Sequence, residues 1–266
     1  MQVPRVAKIG DVNLQYVVEG SGDWLVLIGG FATAYWQSWS RYMPTLTKKY
    51  RVLAFDSRGS GQSDAPDYPY TTAMMAHDTL GLMDHLEIDK AHILGRSLGG
   101  CIAQQIAINS PSRVRSLAMT ASFARIGNRG ETIVRHWLDT ITQIGFPGFF
   151  DQLMTYFYTA EYYETNAEDV ARTIAGLLSS PRSERAFLNT GNAVLSHDVM
   201  DRLGEISSPV ILVCGAEDVI TPARHAEEMG RRLPRADVHI IPRSAHGFLS
   251  EHPASFDLIT SFFSRH

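Results

Sequence analysis

Several short runs in this chain are apolar without alternation: "WLVLIGG", "VLAFD", "AHILG" and "PVILVCG". A strand with one wet face alternates polar and apolar residues. An unbroken apolar run therefore reads as a strand covered on both faces. Helical stretches separate the runs. Met75, Leu82, Met83 and Leu86 mark one helix between Thr72 and Leu86, and Ile102, Ala103, Ile106 and Ala107 mark the next. Others are read near Pro222 to Leu233 and from Pro253 to Phe263. "VNLQYVVEG", "RVRSLAMT" and "DVHIIP" add further strands. Strands alternating with helices predict an α/β fold, a mostly parallel sheet flanked by helices. In such sheets ligands sit beyond the carboxyl ends of the strands. Chemistry is therefore sought just after each strand.

A chain of 266 residues suits one large domain, with or without an insertion. Residues 123–207, between "SLAMT" and "PVILVCG", are too many for a single crossover and contain no convincing parallel strand. They read as several helices. The expected division is a core of residues 1–122 and 208–266 with a helical cap of residues 123–207 over the carboxyl edge. The insertion is rich in aromatics: Phe146, Phe149, Phe150, Tyr156, Phe157, Tyr158, Tyr162 and Tyr163. Apolar stripes usually bury against protein, so most are expected to fasten the cap and a few to line a pocket.

Charge excludes some partners. The net charge is −4, and no basic run or basic–aromatic stripe points to nucleic acid. No Lys/Arg cluster points to an anionic membrane. The most apolar stretch, Trp24 to Trp36, is broken by Gly29 and Gly30 and is shorter than the roughly 20 residues that span a bilayer. The opening "MQVPRVAKIGDVNLQ" has no apolar signal region, so a cytoplasmic setting is the expectation. Cys101 falls in a helix and Cys214 in a strand, which suits buried thiols better than a disulfide. Nothing in the sequence sets an oligomeric state.

One joint between strand and helix carries a serine: Gly95-Arg96-Ser97-Leu98-Gly99. A sharp turn there strains the serine and lifts its hydroxyl above the sheet, and flanking glycines relieve the crowding. The first turn of the following helix offers free N–H groups and a positive dipole end. The plainer alternative is that Ser97 only caps the helix. The context, after a strand and opening a helix, favours a nucleophile.

A hydroxyl nucleophile needs a base, and the base a carboxylate. The chain has ten histidines. His77, His85 and His225 fall in helices, His92 opens a strand and His239 lies inside one. His136 and His197 are in the insertion, His252 precedes a proline and His266 is last. Only His246, in "IIPRSAHGFLSEHP", follows the carboxyl end of the last strand. The loop after "VILVCG" supplies Asp218 in "AEDVITP", with Glu217 beside it; its plainer role is a helix cap ahead of Pro222. The order becomes Ser97, Asp218, His246.

With these residues in hand, the chain resembles the α/β-hydrolase superfamily, whose order is Ser, acid, His. "FDSRGSGQSDAP" is similar to the family's segment after its fourth strand, and "GAEDVITP" and "SAHGF" look like its carriers of acid and base. "SRGSGQSDAP", "GRSLGG" and "ARIGN" are most like the 3-oxoadipate enol-lactonase and small carboxylesterase group. The resemblance implies an eight-stranded sheet with its cap after strand 6. It assigns the oxyanion hole to the backbone N–H groups of Phe31 and Leu98, although this chain reads Gly29-Gly30-Phe31 where many relatives have His-Gly. Trp36, Phe123, Phe157, Tyr158 and Phe248 are the expected pocket residues. Arg96 is expected to pair with a buried acid beneath the turn, an anionic substrate being the alternative.

The implied activity is hydrolysis of a small-molecule ester or lactone through an acyl-enzyme on Ser97, with no cofactor and no metal. No H-E-x-x-H or Cys/His cluster is present, and no G-x-G-x-x-G follows a strand. The same triad serves C–C bond hydrolases, thioesterases, amidases and cofactor-free perhydrolases. A non-catalytic small-ligand receptor on this fold stands as the reading from another class.

Overall fold

The computed structural model describes residues 3–180 and 183–266. Eight strands form one sheet: β1 (Arg5–Ile9), β2 (Val12–Glu19), β3 (Asp23–Ile28), β4 (Tyr50–Phe55), β5 (Ala91–Arg96), β6 (Val114–Thr120), β7 (Val210–Gly215) and β8 (Ala236–Ile241). The helices are α1 (Tyr35–Trp39), α2 (Met43–Leu46), α3 (Thr72–His85), α4 (Leu98–Asn109), α5 (Gly127–Phe157), α6 (Ala160–Thr165), α7 (Ala167–Leu178), α8 (Glu184–Leu195), α9 (Ala223–Arg232), α10 (Phe248–Glu251) and α11 (Phe256–Phe263).

The strand order is β1-β2-β4-β3-β5-β6-β7-β8. β1 and β2 pair antiparallel, as do β2 and β4, and every pairing from β4 to β8 is parallel. The parallel strands show why their sequences do not alternate. Val26 and Ile28 of β3 enter one core while Leu25 and Leu27 enter the other. Ile93 and Leu94 of β5 divide the same way, as do Leu212 and Val213 of β7. One face is covered by α3, α4 and α9, and the other by α1, α2 and α11 with Trp39, Phe256, Phe262 and Phe263. β1 is a strand beyond those read from the sequence. It lies at the sheet edge, and its alternating RVAKI buries only Ala7 and Ile9.

Chain order turns at β3. It lies between β4 and β5, so the segments leaving the carboxyl ends of β3 and β5 diverge to open a crevice there. Ile28 pairs with Gly95, which sets Gly29-Gly30-Phe31 beside Arg96 and Ser97.

Between β6 and β7 the described residues form four α-helices, α5 to α8, a short 3-10 helix (Met200–Glu205) and no strand. α5 breaks at Gly145, whose φ of 66° and ψ of −179° are not helical. Glycine tolerates that φ, and Pro147 just beyond cannot donate to the helical ladder. The break lets one segment present two differently directed apolar faces. Polar bonds fasten the helices to the body. Gln37 Nε2 donates to the carbonyl of Gly176 at 2.7 Å, Gly247 N to Phe157 O at 2.7 Å, and Asn192 Nδ2 to Tyr70 O at 2.9 Å.

Candidate active site

Ser97 sits at the β5–α4 joint with φ 52° and ψ −118°. This is backbone that a residue with a Cβ occupies only under strain. Three contacts hold it there. Ser97 N donates to Thr120 O at 2.8 Å, and the Ser97 carbonyl accepts from Gly100 N at 2.9 Å and from Ser122 Oγ at 2.9 Å. The turn also depends on close backbone approach. A Cβ on Gly99 would strike the carbonyl oxygens of Ile28 and Gly29, and one on Gly95 would strike the Gly99 carbonyl. The serine side chain makes no capping bond to the helix it opens. The capping alternative therefore has no support in the geometry.

His246 follows β8 and Asp218 follows β7. Their loops are brought together because Gly215 pairs with Ile241 and packs against the backbone of Ser244 and Ala245. His246 Nδ1 lies 2.8 Å from Asp218 Oδ2. Asp218 is buried, its side chain 0% exposed, and the carboxylate is fully engaged. Its Oδ1 accepts from the N–H groups of Ile220 and Thr221 at 2.8 Å each, and its Oδ2 also accepts from Thr221 Oγ1 at 2.7 Å. Asp218 thus organises its own turn as well as facing the imidazole. Thr221 Oγ1 lies 3.2 Å from His246 Nδ1, a contact that no sequence motif announces.

Ser97 and His246 border one cavity of about 170 Å³ without a direct hydrogen bond between them. Phe31, from the β3 loop, borders it too. Among the described residues the backbone N–H groups of Phe31 and Leu98 have no protein acceptor. Leu98 is the first residue of α4, where an N–H has no partner within the helix. Ala32, beside Phe31, has φ 49°, marking a tight turn in that loop.

The expected pocket residues divide. Phe157 and Tyr158 border the cavity, and the Phe157 ring centroid is 5.4 Å from that of His246. Phe123 instead lines a smaller adjoining space of about 20 Å³, shared with Ser97 and Trp137. Two expectations are corrected. Trp36 borders neither space. Phe248 is 1% exposed and packs into the α11 side of the sheet with Trp39 and Phe256, so that apolar core, not the cavity, takes up the first residue of α10. The remaining walls come from Trp137, Leu153 and Met154 of α5, Leu177 of α7 and Phe187 of α8. No local pattern distinguished these from other apolar helix residues. Among the insertion's aromatics, Phe149 and Phe150 join Phe157 and Tyr158 at the cavity. Phe146, Tyr156, Tyr162 and Tyr163 pack against neighbouring side chains.

Arg96 also departs from expectation. Among the described residues it forms no ion pair with any acid. Leu94, two residues back on the same strand face, enters an apolar core with Leu25, Leu27 and Ala118. The guanidinium instead lies 5.2 Å from the centroid of the Phe157 ring and borders the cavity.

Other polar groups are structural. Burial pushes the His92 and His197 imidazoles down to about 4, with ring nitrogens placed against Ser116 Oγ and Thr72 Oγ1. Cys101 and Cys214 are free and buried, and burial pushes both thiols up to about 12. Arg58 is clamped by both oxygens of buried Asp78 at 2.6 and 2.7 Å. No described helix is long and apolar enough to cross a membrane.

Residues 23–253 match the family model described as alpha/beta hydrolase fold. The chain is 28% identical over 262 residues to "Putative carbamate hydrolase RutD" of Caulobacter vibrioides, covering 95% of this chain and 96% of that one. It is 28% identical over 251 residues to 3-oxoadipate enol-lactonase 2 of Acinetobacter baylyi, covering 93% and 91%. Among solved structures, a hydrolase from Pseudomonas aeruginosa superposes with a TM-score of 0.88 at 27% identity, covering 98% of both chains. The enol-lactonase from Burkholderia xenovorans superposes at 0.90 with 24% identity, covering 98% of this chain and 100% of that one, a likeness of fold.

Proposed function

This chain is a hydrolase that belongs to the alpha/beta hydrolase fold family, and from that premise we propose that it cleaves a carboxylic ester or lactone through an acyl-enzyme on Ser97. The observation that carries the reading is a convergence. Ser97, held at φ 52°, and His246, anchored on Asp218, border the same cavity. The relatives' named activities, opening an enol-lactone and hydrolysing a carbamate, both add water at an acyl carbon.

With Nδ1–H donated to Asp218, His246 presents Nε2 as the acceptor. Nε2 takes the Ser97 proton as Oγ adds to the carbonyl carbon. The developing oxyanion is held by the Phe31 and Leu98 N–H groups, each such donor being worth about 3–4 kcal/mol in the transition state. The imidazolium, stabilised by Asp218, returns the proton to the leaving alcohol. A water then adds to the acyl-enzyme by the same sequence, with His246 as base, and frees Ser97. Residues 123–207 act as the cap that keeps bulk water from the acyl group. The substrate is a small molecule, the setting cytoplasmic.

Steady-state hydrolysis of p-nitrophenyl butyrate near neutral pH tests this, wild type beside Ser97→Ala. The reading expects turnover that the substitution abolishes. Turnover that survives Ser97→Ala overturns the nucleophile assignment.

A further inference from the structure

Arg96 is a cation facing a cavity with no anion to meet it. Among the described residues it forms no ion pair and no hydrogen bond. The chain treats Arg58 differently, clamping it with both oxygens of Asp78 and with Tyr68 Oη at 2.8 Å. Arg58 is a structural cation with a structural anion; Arg96 has none.

The surroundings leave no protein carboxylate for it. No aspartate or glutamate borders the cavity among the described residues. The nearby acids are occupied elsewhere. Asp218 stands behind His246 with its own donors, and Glu251 accepts from Thr159 N at 2.7 Å and from Ala245 N at 2.6 Å. The other polar side chains that border the cavity carry no negative charge, among them Thr33, Gln37, Tyr158 and Ser250. The Tyr158 phenol is raised above its ordinary value by burial, with the Arg96 charge acting in the opposite direction.

Arg96 is half-buried, and a guanidinium does not shed its charge, so the water it has lost on the cavity side is best replaced by an anion or a donor-matched group. The Phe157 ring covers one face by a cation–π contact. Its edge N–H groups remain suited to a planar carboxylate held by two parallel bonds. Arg96 and Ser97 are consecutive residues bordering one small cavity. A carboxylate held by the first and a carbonyl attacked by the second would share that cavity, which suits a short limb between them.

We propose that Arg96 is the specificity-determining residue of this site and selects an ester or lactone that carries a second, free carboxylate on a short acyl limb. The inference rests on the reading of Ser97 as nucleophile for its catalytic half only, since recognition of the carboxylate does not require the hydroxyl.

The test uses a matched pair, mono-p-nitrophenyl glutarate and its methyl ester, which differ in one charge. Each protein is its own reference through the ratio of kcat/KM for the anionic over the neutral ester. Wild type favours the anion. Arg96→Gln lowers that ratio about tenfold or more, a change of about 1.4 kcal/mol or more, chiefly through KM, and Arg96→Lys restores part of it. An unchanged ratio, with both esters losing activity together, means a structural role and overturns the proposal. A binding arm separates the two readings. Monomethyl glutarate and dimethyl glutarate are titrated calorimetrically into Ser97→Ala and into Ser97→Ala/Arg96→Gln. The anion is expected to bind more tightly to the first, and the preference to vanish in the second. Hydrolysis that survives Ser97→Ala alongside an Arg96-dependent binding preference sinks the nucleophile and keeps this inference. Ser97-dependent hydrolysis without any anion preference does the reverse.

Discussion

His246 Nδ1 lies 2.8 Å from Asp218 Oδ2, and the same oxygen accepts the Thr221 hydroxyl at 2.7 Å. Asp218 therefore fixes which imidazole nitrogen carries the proton. Asparagine at 218 keeps the shape but offers an N–H toward the ring in one orientation and loses the charge in both. Asp218→Asn is expected to lower kcat on a neutral ester by about 10³–10⁴ with little change in KM. Thr221→Val removes one donor of several and is expected to cost far less, about tenfold. Equal losses in the two variants would mean that the turn, rather than the charge and tautomer, is what His246 needs.

Ser97 holds φ 52° and ψ −118°, and backbone of that kind costs about 1–3 kcal/mol for a residue with a Cβ. Ser97→Gly relieves that strain. It is expected to abolish ester hydrolysis and raise the urea midpoint, with a gain of about 1 kcal/mol. Ser97→Ala keeps the Cβ and gains nothing. A glycine variant no more stable than the alanine variant would remove strain from the account of this turn.

His92 and His197 are 1% and 2% exposed and are held neutral by burial, titrating near 4 instead of the ordinary 6.5. Their folded values lie below their unfolded values. Above about 6.5 neither state binds the proton and the stability they permit is complete. As pH falls from about 6.5 to about 4, the unfolded chain takes up protons that the folded chain refuses. Each histidine then costs at most about 1.4 kcal/mol per pH unit. Below about 4 both states are protonated and the loss stops growing. Urea midpoints measured across this window should fall steadily, and His197→Gln should flatten the fall. A slope unaltered by His197→Gln and by His92→Gln would assign the loss to other groups.

The family resemblance drawn from "GRSLGG", "GAEDVITP" and "SAHGF" agrees with the match over residues 23–253 and with the similarity to an enol-lactonase. Much of the sheet was legible for one reason. A strand buried on both faces advertises itself in its own residues, so β3, β4, β5 and β7 could be read locally. β1 could not, because an edge strand with Lys8 exposed on one face looks like an ordinary amphipathic terminus.

The places of Ser97, Asp218 and His246, each just past a strand, are legible in the chain alone. A parallel sheet gathers such positions at one edge, so their grouping followed from the topology. The walls depend on how distant helices pack. Trp137, Leu153 and Phe187 face the cavity because α5 breaks at Gly145 and rests against α7 and α8 in one particular way. Phe248 and Trp36, expected among the pocket residues, lie elsewhere. Arg96, read as the partner of a buried acid, lies instead against the Phe157 ring at the cavity. What a side chain meets across a cavity depends on elements far away in the chain, and a local pattern carries no record of them.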